Sequence, residues 1–192
     1  MGNYKESIAI IIPALDPDER MVSLVGQLHD DGFSNIILVD DGSLIANRKY
    51  FKTCKETCHC KIIRHVVNFG KGIALKSAFN YILEQRPDIK GAVTVDCDGQ
   101  HVLPDINTCA KLTYEHPDSL ILGCRQFDDK EIPLRSRFGN KLTRQMIRLL
   151  CGIHVSDTQT GLRGLPTPLI REHFANVKGE RFEYEMNMLI AA

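Results

Sequence analysis

The sequence predicts an α/β fold in which a mainly parallel central sheet is covered by helices on both faces. Two observations carry this reading. Short apolar runs alternate with helical periods along most of the 192 residues, and the positions just after those runs are unusually polar. Residues 7–12 form the first run, ended by Pro13; Met21, Leu24, Val25 and Leu28 then recur at i, i+3, i+4 and i+7 as one helix face. Residues 35–39 read as the second strand, and 47–55 as a polar helix. A third strand follows at 61–66, and a helix over 72–84 is ended by Pro87. Strands at 91–95 and 119–122 complete the set, separated by a helix between Pro104 and Glu115. Repeated β-α-β units of this kind give parallel neighbours joined by crossover helices.

Composition sets the outer bounds. Hydrophobic residues make up 43% and charged residues 25%, a globular balance. A chain this long buries roughly 70% of its unfolded surface, enough for a core without disulfides or structural metal. Lysine plus arginine number 24 against 24 acids, so no global field recruits nucleic acid, and no nucleic-acid partner is expected. Seven cysteines cannot all pair within the chain, no signal peptide opens it, and no run approaches the about 20 apolar residues of a membrane span. A cytoplasmic location is expected. Cys54, Cys58, His59 and Cys60 lie close together but lack a second ligand pair at finger-like spacing, so they read as a helix end running into a strand near Cys60 rather than as a zinc site.

Open parallel sheets bind ligands at the carboxyl ends of their strands. Here those ends carry Asp40 and Asp41, then 68–72, then Asp96 and Asp98, then 123–125. Carboxylates gathered along one rim repel each other unless a cation or ligand neutralises them, so a binding crevice is expected there. The strongest signal is Asp96-Cys97-Asp98-Gly99-Gln100-His101. Two carboxylates at i and i+2 can turn toward one hard divalent cation, Mg²⁺ or Mn²⁺, with Gly99 allowing a tight bend and Gln100 adding an oxygen. The bland alternative is a pair of turn-capping aspartates. In Asp40-Asp41-Gly42-Ser43, Asp41 can accept from a base or ribose hydroxyl while Asp40 caps the turn or orients a neighbour. Asn68-Phe69-Gly70-Lys71-Gly72 lacks P-loop spacing, yet its glycines permit close ligand approach before a helix and Lys71 can reach a nucleotide. Arg125 can grip a diphosphate with its planar fork; its alternative is a rim salt bridge.

Two further stretches stand out. Arg137, Lys141, Arg144 and Arg148 fall on one helical face, extended by Arg135, beside an apolar face of Phe138, Leu142, Met146 and Leu149. This basic amphipathic helix is either a solvated face or a surface for anionic lipid or a phosphorylated acceptor. Residues 156–164 pack polar side chains and two glycines as a substrate-touching loop would. A last amphipathic helix starts near Phe182, with Glu183 and Glu185 suited to its positive N-terminus.

Taken together, residues 39–43, 68–72, 96–101, 123–125, 157–164 and 181–188 resemble family 2 glycosyltransferases, most nearly their dolichol-phosphate mannosyltransferase-like branch. The resemblance covers nearly the whole chain. It implies a three-layer GT-A fold, a nucleotide-diphospho-sugar transferase architecture, over a single catalytic domain at 1–192. It also implies inverting transfer of sugar from a UDP- or GDP-sugar. By that resemblance Asp96, Asp98 and Gln100 hold the metal, and Pro13, Asp41, Lys71, Asp96 and Arg125 contact the nucleotide sugar. Arg125, Asp157 and Glu185 form the catalytic set, and Arg135, Arg137, Lys141, Arg144 and Gln159 meet the acceptor. The sequence departs from the family at Asp16, where asparagine is usual, and at Cys124, where serine is frequent. It also ends at Ala192 within an apolar helix without a stop signal, so further catalytic-domain structure is expected beyond it.

A phosphate monoester is mostly dianionic at neutral pH, its second pKa being about 6, so it needs cations more than a base. The basic helix therefore favours a polyprenyl phosphate at a cytoplasmic membrane face over a sugar hydroxyl, which would demand a base such as Asp157. Two rivals remain: a non-catalytic nucleotide-sugar binding module, and a haloacid dehalogenase-type phosphatase with Asp96 as nucleophile, which would leave the other motifs without a role.

Overall fold

The computed structural model describes residues 3–123 and 161–191. Helix α1 (Tyr4–Ser7) leads into β1 (Ile8–Ala14), α2 (Glu19–Asp30) and β2 (Ile36–Asp40). A 3₁₀ turn (Ile45–Asn47) opens α3 (Arg48–Cys58), followed by β3 (Lys61–Arg64), α4 (Lys71–Gln85), β4 (Gly91–Thr94), α5 (Leu103–Glu115) and β5 (Ile121–Leu122). After the 124–160 stretch come β6 (Arg163–Pro166), α6 (Thr167–Asn176) and α7 (Glu183–Ala191). The sheet runs β3-β2-β1-β4-β6-β5; β1 to β4 are parallel, and β6 is antiparallel to both β4 and β5.

β1 sits at the centre and is buried along its whole length. Strand side chains alternate faces, and the two cores divide accordingly. Ile8, Ile10 and Ile12 pack with Met21, Leu24, Val25 and Leu28 of α2, Phe51 of α3 and Ile106 of α5. Ala9 and Ile11 pack with Leu75, Ala78, Phe79 and Ile82 of α4, Ile170 of α6 and Met188 of α7. The result is three layers. The predicted α2 face is the set that α2 buries, and each predicted strand of the parallel part is present with ends moved by one or two residues. Ala14 lies in register with Asp40, and Asp40 with Arg64, so the carboxyl ends of β1, β2 and β3 form one level rim.

The cysteine cluster is a helix end. His59 takes a left-handed conformation (φ 54) that terminates α3, and Cys60 leads into β3. Burial pushes the Cys54 and Cys60 thiols up to about 11 and about 12, which marks them as inert packing groups. The structure differs from expectation beyond Gly161, where the second half of the expected loop enters β6. That strand, Arg-Gly-Leu-Pro, has no β-branched residue and a buried arginine, and α6 begins directly after it. Gly164 is needed there because a methyl group would strike the Thr113 side chain.

Two glycines should respond oppositely to alanine. A Cβ on Gly72, at the start of α4, would lie 2.8 Å from the Glu180 carbonyl oxygen and the Tyr184 Cβ, so Gly72→Ala should cost about 1–3 kcal/mol. Gly26 lies inside α2 with nothing within 4 Å of such a Cβ, and Gly26→Ala should stabilise by about 0.5–1 kcal/mol. Urea midpoints of the two variants check both signs.

Candidate active site

The rim is built first by two adjacent aspartates with different duties. Asp40 is fully buried and accepts from the Ser43 N–H (2.8 Å) and Arg64 Nε (2.7 Å), capping the turn and holding the end of β3. Asp41 accepts from His65 Nδ1 (2.7 Å), Phe69 N–H (3.0 Å) and Gly70 N–H (2.8 Å). Three of its roughly four lone-pair positions are thus committed within the protein, two of them to the 68–70 loop. His65 is fixed in turn by Ser77 Oγ, 2.9 Å from its Nε2. Gly70, at φ 100, swings the chain into α4 and presents Lys71 at the helix start.

Lys71 is the electrostatic centre. Its Nζ donates to Asp96 Oδ1 (2.7 Å) and lies 2.9 Å from Glu185 Oε2, with the side chain 14% exposed. Burial alone would pull the ammonium pKa down, but Glu185 and Asp96 outweigh it and raise it above the usual 10.5. Burial likewise works against the Asp96 carboxylate, yet the His101 contact (3.3 Å) and the Lys71 charge hold its pKa well below 3.8. Gly161 presses against this carboxylate so closely that a Cβ would overlap it, and its carbonyl accepts from Thr94 Oγ1 (2.8 Å). Beneath lies buried Arg163, donating to the Glu185 backbone carbonyl, with Nε 3.9 Å from Glu185 Oε1. That Oε1 is buried and makes no hydrogen bond among the described residues.

These groups surround a cavity of about 490 Å³ at the carboxyl ends of β1, β2 and β4. Six residues named from the sequence line it together: Pro13, Asp41, Lys71, Asp96, Asp98 and Glu185. Asp98 Oδ1 accepts the Gln100 N–H (3.0 Å), closing the turn that Gly99 permits at φ 76. Gln100 itself is exposed and off the cavity wall. Arg125, Arg135, Arg137, Lys141, Arg144, Arg148, Asp157 and Gln159 lie outside the described residues. The two acids of α7 separate: Glu183 Oε1 caps the helix by accepting from the Glu180 (3.0 Å) and Arg181 (3.2 Å) N–H groups, while Glu185 turns inward to Lys71. His65, Ser77 and Arg163 were not singled out from sequence, since nothing local marks a histidine four residues past a strand start or an arginine inside a strand as buried. Arg181 and Phe182 also line the cavity.

The glycosyl transferase family 2 pattern matches residues 10–174. The chain belongs to this family. It is 29% identical to an uncharacterized protein of Methanocaldococcus jannaschii, over 98% of this chain and 76% of that one. It is 30% identical to the UDP-N-acetylglucosamine–dolichyl-phosphate N-acetylglucosaminyltransferase of Methanococcus voltae, over 96% and 79%. The human dolichyl-phosphate beta-glucosyltransferase is 23% identical, over 97% of this chain and 63% of its own length. Among solved structures, glucosyl-3-phosphoglycerate synthase from Mycobacterium tuberculosis in complex with Mn²⁺, UDP-glucose and phosphoglyceric acid superposes with a TM-score of 0.66 at 17% identity, covering 97% of this chain and 64% of that one. This glycosyltransferase therefore has the GT-A fold, and it spans less than two thirds of the human relative and of the solved structure.

Removing the shared cation isolates the cluster. In the family 2 chain, Lys71→Met leaves Asp96 and Glu185 facing each other and should cost about 2 kcal/mol or more. Asp96, with its lowered pKa, contributes stability above the carboxylate range that is lost as pH falls; Lys71, with its raised pKa, contributes stability lost only above about pH 10.5. Between those limits the wild type should show a flat plateau, with an acid limb that shrinks in Lys71→Met; urea unfolding from pH 2 to 8 measures both.

Proposed function

We propose that the protein transfers a sugar, with inversion, from a UDP- or GDP-sugar to the phosphate of a polyprenyl or dolichyl phosphate, using Mg²⁺ or Mn²⁺ at Asp96 and Asp98. One observation carries the reading: both aspartates, Lys71 and Glu185 converge on a single cavity at the strand ends, where open α/β sheets take ligands. Two relatives named for dolichyl phosphate support the acceptor class. The Mn²⁺ and UDP-glucose complex of the structural relative supports the donor and cation class.

The donor set fits a hard divalent cation. Asp96 and Asp98 offer carboxylate oxygens, and Asp98 keeps one of them without a hydrogen-bond partner among the described residues. Two carboxylates match Mg²⁺-type binding, in which other positions are left to water and substrate phosphate. Gln100 is the proposed further oxygen. When bound, the ion neutralises the departing diphosphate.

The remaining work falls to side chains. Lys71, kept cationic by Asp96 and Glu185, donates to the diphosphate, and Arg125 supplies a second cation. Pro13 and Asp41 wall the nucleotide side. The acceptor phosphate oxygen forms the new bond at the anomeric carbon as the nucleoside diphosphate leaves from the opposite face. Being dianionic, it needs no base, and Arg135, Arg137, Lys141 and Arg144, with Gln159, hold it. Asp157 lines the acceptor side, and Glu185 acts through Lys71 as a positioning residue. The proposed place of action is the cytoplasmic face of a membrane; no helix among the described residues is long and apolar enough to cross one.

Mn²⁺ with the correct nucleotide sugar should raise the wild-type Tm. Asp98→Ala should lose that shift and slow transfer to polyprenyl phosphate by about a hundredfold or more. Transfer confined to sugar hydroxyls would overturn the acceptor.

A further inference from the structure

Six of the ten large apolar side chains exposed among the described residues stand in the loops after β1, β2 and β3: Leu15, Leu44, Ile45, Val66, Val67 and Phe69. Ile45 is 81% and Val66 89% exposed, so the core makes little use of either. The three loops are stitched into one surface. The Asp16 N–H donates to Ser43 Oγ (2.9 Å), and Leu44 N–H and Asn47 Nδ2 both donate to Asp16 Oδ1 (2.8 and 3.0 Å). A methyl group on Gly42 would strike the backbone of Val67 and Asn68. Single exposed apolar residues are ordinary, but a group on neighbouring loop tips marks an interaction site.

The part of this edge after β2 is cationic, whereas the stretch after β1 carries Asp16, Asp18 and Glu19 against Arg20. From 44 to 69 the chain carries six cations against one acid, Glu56, although its total charge is zero. Arg64 is taken by buried Asp40, and Lys52 lies 3.7 Å from Glu56. Arg48 and Lys49, at the rim end of α3, have no acidic partner among the described residues, whereas Lys55 and Lys61 lie toward the opposite ends of α3 and β3. Arg48 and Lys49 occupy the first turn of α3, which holds no acid, so they face the positive end of the helix dipole. Inside the fold that placement is unfavourable; an external anionic surface reverses its sign.

We infer that this apolar, cation-flanked rim docks on an anionic lipid bilayer. The tips at Ile45 and Val66 enter the boundary between headgroups and acyl chains, and Arg48 and Lys49 meet the lipid phosphates. Leu15 and Asn68 belong to the rim and also line the 490 Å³ cavity, so docking turns the cavity mouth toward the membrane. The inference deepens the lipid-acceptor reading and rests on it for its purpose, while the surface is tested without any sugar transfer.

The test is co-sedimentation with phosphatidylcholine vesicles, with and without phosphatidylserine, lacking polyprenyl phosphate and nucleotide sugar. The wild type should bind only the phosphatidylserine vesicles and be released by salt. Arg48→Gln with Lys49→Gln should weaken binding about fivefold for each cation removed. Ile45→Asp with Val66→Asp should abolish it, and Phe174→Asp, an exposed apolar position on α6, should not change it. An unchanged Tm shows that the variants are folded. Equal binding by wild type and rim variants, or no wild-type binding to anionic vesicles, overturns the inference; the latter points the rim to an acidic protein. A parallel assay with a short, water-soluble polyprenyl phosphate separates the two readings. Transfer retained in rim variants that no longer bind vesicles supports the docking surface, whereas absence of transfer in a wild type that binds vesicles counts against the acceptor alone.

Discussion

Three elements far apart in sequence meet at one ammonium group. Lys71 opens α4, Asp96 follows β4 and Glu185 lies on α7, and their ion pairs draw α7 down onto the junction of sheet and helix. Backbone follows the charges: the Ile73 N–H donates to the Glu180 carbonyl (2.9 Å), and the approach is so close that Gly70, Gly72 and Gly161 admit no side chain. Burying Lys71 and Glu185 beside a half-buried Asp96 is costly, and apolar residues of similar size would hold the same elements together at least as well. Two carboxylates sharing one cation beside a cavity keep a net negative charge, which makes sense as ligand machinery waiting for a cationic partner.

A second scaffold works beside the first. Asp40 and Asp41 are adjacent, so strand geometry sends them opposite ways. One secures the turn and β3 from within. The other, backed by His65 and Ser77, pins the backbone of Phe69 and Gly70 and so sets where Lys71 begins its helix. The position of the Lys71 ammonium therefore depends on a carboxylate that spends most of its hydrogen-bonding capacity within the protein. This is how a loop can hold a side chain with the accuracy of a secondary-structure element.

The parallel half of the fold was legible because its signals are local: an uninterrupted apolar β1, a four-residue helix face in α2, and polar residues at each strand end. The placement of Asp96, Asp98 and Lys71 at the cavity followed from the same pattern. What stayed hidden depends on distant partners. β6 has neither alternation nor β-branched residues, and its identity as a strand comes from pairing with β4 and β5 across a long separation. Arg163 reads as a surface cation until Glu185, 22 residues later, is folded over it. Glu183 and Glu185 look alike as N-terminal acids, and only the helix rotation decides that one caps while the other pairs with Lys71.

A net charge of zero says nothing of how the charges are distributed. Cations surplus to the β3 edge are balanced by acids elsewhere, many of them committed to the interior or to caps: Asp40, Asp41, Asp96 and Glu185 lie in or beneath the rim, and Asp18 and Glu183 serve helix starts. Acids that are buried or hydrogen-bonded contribute less to the outward field than exposed lysines do, since the latter project several ångströms into solvent. The effective face of the β3 edge is thus more positive than arithmetic on the chain implies. Combined with apolar loop tips at the same strand ends, Arg48 and Lys49 in the first turn of α3 make the rim an amphipathic surface in three dimensions, built from loops and a helix start that the parallel sheet brings to the same height.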